Sequence, residues 1–232
     1  MIPEENEALG VPHDVAAIRQ KIRAFLDGPS AIGDGRKLGN AKWGVYAFYD
    51  YDAEPIYVGQ TNERLRTRIR RHLTNQRTDA VAMNVLDPFE VAEIEVWPLW
   101  DLEGRSSKDG EAKAILNSAE YTVFQSVLSQ SSFHAVLNEG DITAVDMIEL
   151  PQSVRGRIIP DDLYELRKHP DIRIGRRATT IAALARVISE REVSKGLRRT
   201  LVTQARRLER LASLRYDEIG GSVPSVEPGE EV

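Results

Sequence analysis

Tyr46 and Tyr57 occupy matching positions in two short runs rich in aromatic and branched residues, Trp43–Tyr49 and Pro55–Gly59. If both runs are strands of one hairpin, alternation brings the two hydroxyls together. Arg68 and His72 lie one helical turn apart in the run that follows, so they stack on one face. Glu120 stands farther on in a long helical stretch, among small and apolar neighbours, an unusual place for a lone carboxylate. Asn138 follows Val136 and Leu137 at a strand-like or loop end. Phenol, imidazole and carboxyl groups exchange protons, and a guanidinium holds an oxyanion through its fork of donors. Singly, each residue has an ordinary explanation. The tyrosines would be core packing, Arg66, Arg68, Arg70 and Arg71 a solvated helix face, and His72 a helix end. Glu120 would be a salt-bridged helix position and Asn138 a turn. Only their joint order and spacing argue for one site.

The elements that must position them follow from periodicity. Asp14–Leu26 predicts an amphipathic helix with Asp14 as cap, Val15, Ile18, Ile22, Phe25 and Leu26 on one face, and a stop at Gly28–Pro29. A Gly-rich loop reaches Gly39. The two aromatic runs form a hairpin turned by Asp50–Glu54, and Thr61 or Asn62 caps a helix over Glu63–Leu73 with Leu65, Ile69 and Leu73 as its buried stripe. Phe89–Leu99 alternates as a third strand halted near Pro98; Asp101–Gly110 is polar loop, and Glu111–Ser129 a long helix. Trp43–Asn138 therefore reads β-β-α-β-α, an α/β unit. Beyond Leu150 the pattern predicts helices alone, at Asp161–His169, Thr180–Ser189 and Glu192–Tyr216. Leu197, Leu201, Ala205, Leu208, Leu211 and Leu214 mark one face of the last.

Composition narrows the function. The 232 residues include no cysteine, which excludes disulfides, zinc ribbons and thiol nucleophiles. No His-x-x-x-His pair, Walker loop or dinucleotide fingerprint is present. No apolar run approaches ~20 residues and the first residues are acidic, so a cytoplasmic protein with no membrane contact is expected. The net charge of −5 conceals an asymmetry. Pro151–Tyr216 carries about 16 Lys and Arg against about 7 acids, roughly +9, which suits either a polyanion partner or an Arg-rich solvated surface.

Gly44-Val45-Tyr46, Tyr57-Val58-Gly59, the Arg68/His72 helix, Glu120 and Asn138 together resemble the GIY-YIG nuclease superfamily, with Val for Ile in both tripeptides. Leu65-Arg66-Thr67-Arg68 is similar to the corresponding helix of the UvrC-type excision-repair domain. His72, where that group usually has Tyr, is similar to the type II restriction endonuclease branch. The resemblance implies a small GIY-YIG-type β-β-α-β-α core with an N-terminal helix and a C-terminal helical annex. It divides the chain into an N-terminal helix and loop (1–40), a nuclease domain (41–150), a basic helical region for DNA binding or dimerisation (151–216) and a disordered acidic tail (217–232).

The resemblance further implies phosphodiester hydrolysis with one divalent ion, Mg²⁺ or Mn²⁺, ligated by Glu120. Tyr46 would be the general base, assisted by His72 because a phenol of pKa near 10 is a poor base at neutral pH. Arg68 would face the phosphate, Tyr57 position water or phosphate, Gly59 admit close backbone approach, and Asn138 orient the site. Asn117 is the outside candidate for the last role. DNA is the expected partner, with Arg66, Arg70, Arg71, Arg173, Arg176, Arg177, Arg198, Arg199, Arg206 and Arg207 as its contacts and Arg210 beside them. A restriction-type endonuclease on double-stranded DNA is the favoured reading, its two strands cut by a homodimer paired through the leucine face of the last helix. The alternatives are a structure-specific repair or mobile-element nuclease, a non-catalytic nucleic-acid-binding module on the same fold, and a partner-docking role for the C-terminal helices.

Overall fold

Every residue of strand β1, Gly44–Tyr49, is buried, because helices cover both of its faces. Antiparallel strands flank it: β2, Pro55–Thr61, on one side and β3, Glu93–Pro98, on the other. A fourth strand, β4 at Val154–Arg157, pairs with β3, so the sheet order is β2-β1-β3-β4 and β2 is an edge. The computed structural model describes residues 13–221 except 32, 74–86, 139 and 141. The expectations for the first dozen residues and for the tail past 221 lie outside these. Six α-helices are described: α1 His13–Asp27, α2 Leu65–Leu73, α3 Gly110–Gln130, α4 Asp161–Lys168, α5 Pro170–Glu190 and α6 Lys195–Glu218. The chain is thus α/β, a small β-β-α-β-α core with a helical C-terminal region.

Alternation along β1 divides the core in two. Val45, Ala47 and Tyr49 face α3 and pack with Val58 and Trp97 on Ala112, Leu116, Ala119, Val123 and Val127. Tyr46 and Phe48 face the other way, with Ile56, Ile94 and Val96. There they meet Ile22 and Leu26 of α1, Leu65, Ile69 and Leu73 of α2, Leu184 and Val187 of α5, and Leu197 of α6. Full burial of such a side chain is worth ~2 kcal/mol, so the three from α5 and α6 together match the net stability of a typical small domain. The C-terminal helices are part of the core.

Four expectations need correction. The chain beyond Leu150 is not helices alone, because Val154–Arg157 joins the sheet; its polar, four-residue run carries no alternation, and only the exposed flank of β3 makes it a strand. Gly156 in it fits because a Cβ there would sit 2.8 Å from the Phe25 ring of α1. The run from Phe89 opens with a 3₁₀ turn, Pro88–Glu90, in which Asp87 accepts from the Phe89 N–H, so the strand starts later. Thr180–Ser189 is the middle of a helix that begins at Pro170, since proline is tolerated in a first turn and the His169 side chain accepts from the Asp171 N–H. The leucine face of α6 is not free to pair two copies: Leu197 packs in the core, Leu211 is buried within the chain, and α6 runs along α5.

The hairpin turn anchors these two helices through charge. Asp50 is 2% exposed, and its Oδ1 accepts from the backbone N–H groups of Asp52 and Glu54. Its Oδ2 accepts from Arg207 at 2.6 Å, Arg177 at 2.9 Å and Arg173 at 3.3 Å. Arg173 also bonds Asp52, and Arg177 bonds Glu90. Three buried guanidiniums are therefore balanced by the buried carboxylates of Asp50 and Glu90 and, at the rim, by the exposed carboxylate of Asp52. Removing one member leaves uncompensated buried charge, which costs ~3–5 kcal/mol. Asp50→Ala is expected to lower the unfolding free energy by about that amount, read as a shifted urea midpoint.

Candidate active site at the sheet edge

The β1–β2 register sets Tyr46 opposite Gly59. A Cβ at Gly59 would lie 2.6 Å from Tyr46 Oη and 2.8 Å from a ring carbon of Tyr57, so the missing side chain is what lets the Tyr46 ring cross the edge strand. Tyr57 stacks on Tyr46 with ring centroids 6.2 Å apart. His72 of α2 meets Tyr46 edge-on at 5.7 Å and Tyr57 at 5.2 Å. Arg68, one turn before His72, lies close enough for its charge to act on the Tyr46 phenol.

Gln60, the next residue along β2, points to the opposite face and reaches α3. Its Nε2 donates to Glu120 Oε2 and to Asn117 Oδ1, each at 2.9 Å. Groups from both faces of the sheet thus meet around one edge strand. Beside them opens a cleft of about 300 Å³ lined by Gln60, Thr61, Asn62, Glu63, Arg68, Lys113, Leu116 and Asn117. Asn138 braces the strand from outside. Its Nδ2 donates to the Val58 carbonyl at 2.7 Å and its Oδ1 accepts from the Val58 N–H at 3.1 Å, satisfying the edge backbone directly before Gly59 and Gln60.

Burial sets the protonation states. It pushes the Glu120 carboxyl up to about 7, against the Gln60 hydrogen bond and the Arg68 charge, which both favour the anion. Burial also raises the Tyr46 phenol well above its usual range; Tyr57 and Glu120 push the same way, and Arg68 alone among the leading contributors opposes them. Tyr46 is therefore a neutral hydroxyl at neutral pH. That oxygen is buried and makes no hydrogen bond of ordinary geometry among the described residues.

A hard divalent cation suits this donor set. Glu120 supplies one carboxylate, and the carbonyl oxygen of Gln60 is a buried acceptor with no hydrogen-bond partner among the described residues. No group of three or more acidic or histidine side chains placed to hold a metal ion gathers there or elsewhere among the described residues, so a resident ion would keep most of its water.

The proposed DNA contacts separate into two groups. Arg173, Arg177 and Arg207 are buried in the Asp50 cluster and cannot reach a ligand outside, which corrects their assignment. Arg66 is bound to Asp27 and Asn40, Arg71 to Glu63 and Arg176 to Asp87, so these three are held by the protein. Arg70, Arg198, Arg199, Arg206 and Arg210 are exposed. Sequence reasoning missed Gln60 and Lys113 and gave Asn117 only a minor place. The signal was available: Lys113, Asn117 and Glu120 share one face of a helix by spacing, and Gln60 directly follows Gly59.

Residues 42–105 match the model of the GIY-YIG catalytic domain family. No curated protein and no solved structure matches the chain. The family match supports a nuclease, a hydrolase acting on DNA, and it covers β1, β2, α2 and β3 but stops before Glu120.

Between the ordinary carboxyl value and about 7, the folded chain holds a proton on Glu120 that the unfolded chain releases, so stability falls as pH rises through that window. Glu120→Gln removes this loss. The variant is expected to be more stable than wild type at pH 8 by about 3 kcal/mol, each pKa unit being worth ~1.4, with no gain near pH 4. Urea melts without divalent cation read the difference.

Proposed function

We propose that this chain is a metal-dependent endonuclease of the GIY-YIG type that hydrolyses phosphodiester bonds in double-stranded DNA. The observation that carries the reading is the convergence on edge strand β2 of Tyr46, Arg68 and Glu120 from two faces of the sheet, next to an open cleft. Glu120, with the Gln60 carbonyl beside it, would hold the ion; when bound, the ion polarises the scissile phosphate and stabilises the leaving oxygen. The Arg68 guanidinium, protonated at any working pH, holds the phosphate in its fork.

The raised phenol argues against a standing tyrosinate. Tyr46 instead gives up its own proton as it takes that of the attacking water, to His72 once a hydrogen bond joins the two rings that now meet edge-on, so no full phenolate builds up in a site that disfavours one. Tyr57, stacked on Tyr46 and tilted against His72, keeps phenol and imidazole in register. Asn138 fixes the strand that carries Gly59 and Gln60.

Arg198, Arg199, Arg206 and Arg210 on the exposed side of α6, with Arg70 of α2, offer phosphate contact outside the cleft. His72, together with the segments folded onto the core from both ends of the nuclease unit, favours a restriction-type enzyme over a branched-DNA nuclease. Cutting both strands then takes two copies, paired through a surface other than the α6 leucine face.

Plasmid DNA with Mg²⁺ is expected to be cut by wild type. Glu120→Gln should lose at least ~10³-fold, and Tyr46→Phe ~10²–10⁴-fold in rate. Undiminished cutting by both variants removes the mechanism. Light scattering with a cognate duplex should show a two-copy complex; one copy per duplex under conditions of double-strand cleavage argues for sequential nicking.

A further inference from the structure

We infer that Gln60 is a positioning residue for the metal-binding carboxylate, holding Glu120 through its amide nitrogen and facing the hydrated ion with its amide oxygen. The inference rests on the nuclease reading for the ion's presence and on four observations for the role.

The amide reaches across sixty positions of sequence to Glu120, at 2.9 Å, and to Asn117, one turn earlier on the same helix face, at the same distance. Its orientation is dictated chemically. Both neighbours present acceptors, and a carbonyl turned toward a carboxylate would be repelled, so the NH₂ must face α3. The Gln60 carbonyl is consequently turned elsewhere, and it is buried with no hydrogen-bond partner among the described residues. Such an acceptor is unfavourable unless a donor or cation satisfies it. Finally, Gln60 lines the cleft together with Arg68, so its side chain borders the same opening as the proposed phosphate contact.

With Oε2 of Glu120 engaged by the amide, Oε1 is the oxygen left for the ion, since Glu120 has no other hydrogen bond among the described residues. Gln60 thereby selects which carboxylate oxygen binds and fixes its direction. Its own carbonyl accepts from a water of the hydrated ion or meets the ion itself. Both outcomes give an orphaned polar atom its partner, and both make ion affinity depend on a residue that need not touch the reacting phosphate.

The test compares wild type, Gln60→Met, Gln60→Asn and Glu120→Gln as full-length chains. Mn²⁺ titrations are followed by electron paramagnetic resonance, alone and with duplex DNA, beside cleavage at increasing Mn²⁺. Gln60→Met keeps the volume and removes both amide functions, so the Mn²⁺ dissociation constant should rise ~10–100-fold. The lost cleavage should then recover as Mn²⁺ is raised past this weaker dissociation constant, a dependence that a general structural defect would not give. Gln60→Asn withdraws the amide by one methylene and should show a smaller rise, which keeps the question open to measurement if the Met variant folds poorly. Dissociation constants within twofold of wild type in both variants overturn the inference. So does the lack of any Mn²⁺ site abolished by Glu120→Gln. If wild type binds Mn²⁺ through Glu120 but cuts no DNA, the nuclease reading fails, and the two Gln60 dissociation constants still decide this one.

Discussion

Asp50 is the point on which the two halves of the molecule hang. One buried carboxylate closes the β1–β2 turn with one oxygen and receives three guanidiniums from α5 and α6 with the other. A charge of that kind is tolerated only when fully paired, so the turn and both helices must form together. The neighbouring groups register the same constraint. Burial holds the Arg207 guanidinium below its usual value against the pull of Asp50, and it raises the Glu90 carboxyl despite Arg177 and Arg173. The helices so anchored insert Leu184, Val187 and Leu197 into the core face that also carries Tyr46 and Ile69. The face that carries Tyr46 is therefore backed by residues more than a hundred positions away.

This arrangement also changes what the positive charge of the C-terminal third means. Its excess of roughly +9 suggests a polyanion surface, yet three of its arginines neutralise carboxylates inside the protein. What remains outside is a sparser set on the exposed side of α6. Net charge counted along a sequence weighs a buried ion-paired arginine and an exposed one equally; only the second contributes to the field a nucleic acid meets.

The site has the character of a place where stability is given up. Tyr46 and Glu120 are both buried away from the charge states that chemistry requires, and Tyr46 Oη and Gln60 Oε1 are buried acceptors without partners among the described residues. Each is unfavourable alone. On the proposed reading, a phosphate, a water and a cation would supply the missing partners.

Local pattern was enough for much of this. The hairpin, the α2 stripe, the long α3 helix and the two tripeptides all rest on residues within a few positions of one another, where alternation and helical spacing act directly. Strand β4 could not be read, because Val154–Arg157 takes its conformation from the open edge of β3. The burial of Arg173, Arg177 and Arg207 could not be read either, since it depends on where Asp50 lies in space. Gln60 is the sharpest case: an ordinary polar residue by type, it acquires a role only because the edge strand passes within hydrogen-bond reach of α3. Spacing along the chain named the chemical groups. Which of them face one another, and which charges lie inside, followed from long-range packing, because desolvation and pairing act between neighbours that the chain order does not reveal.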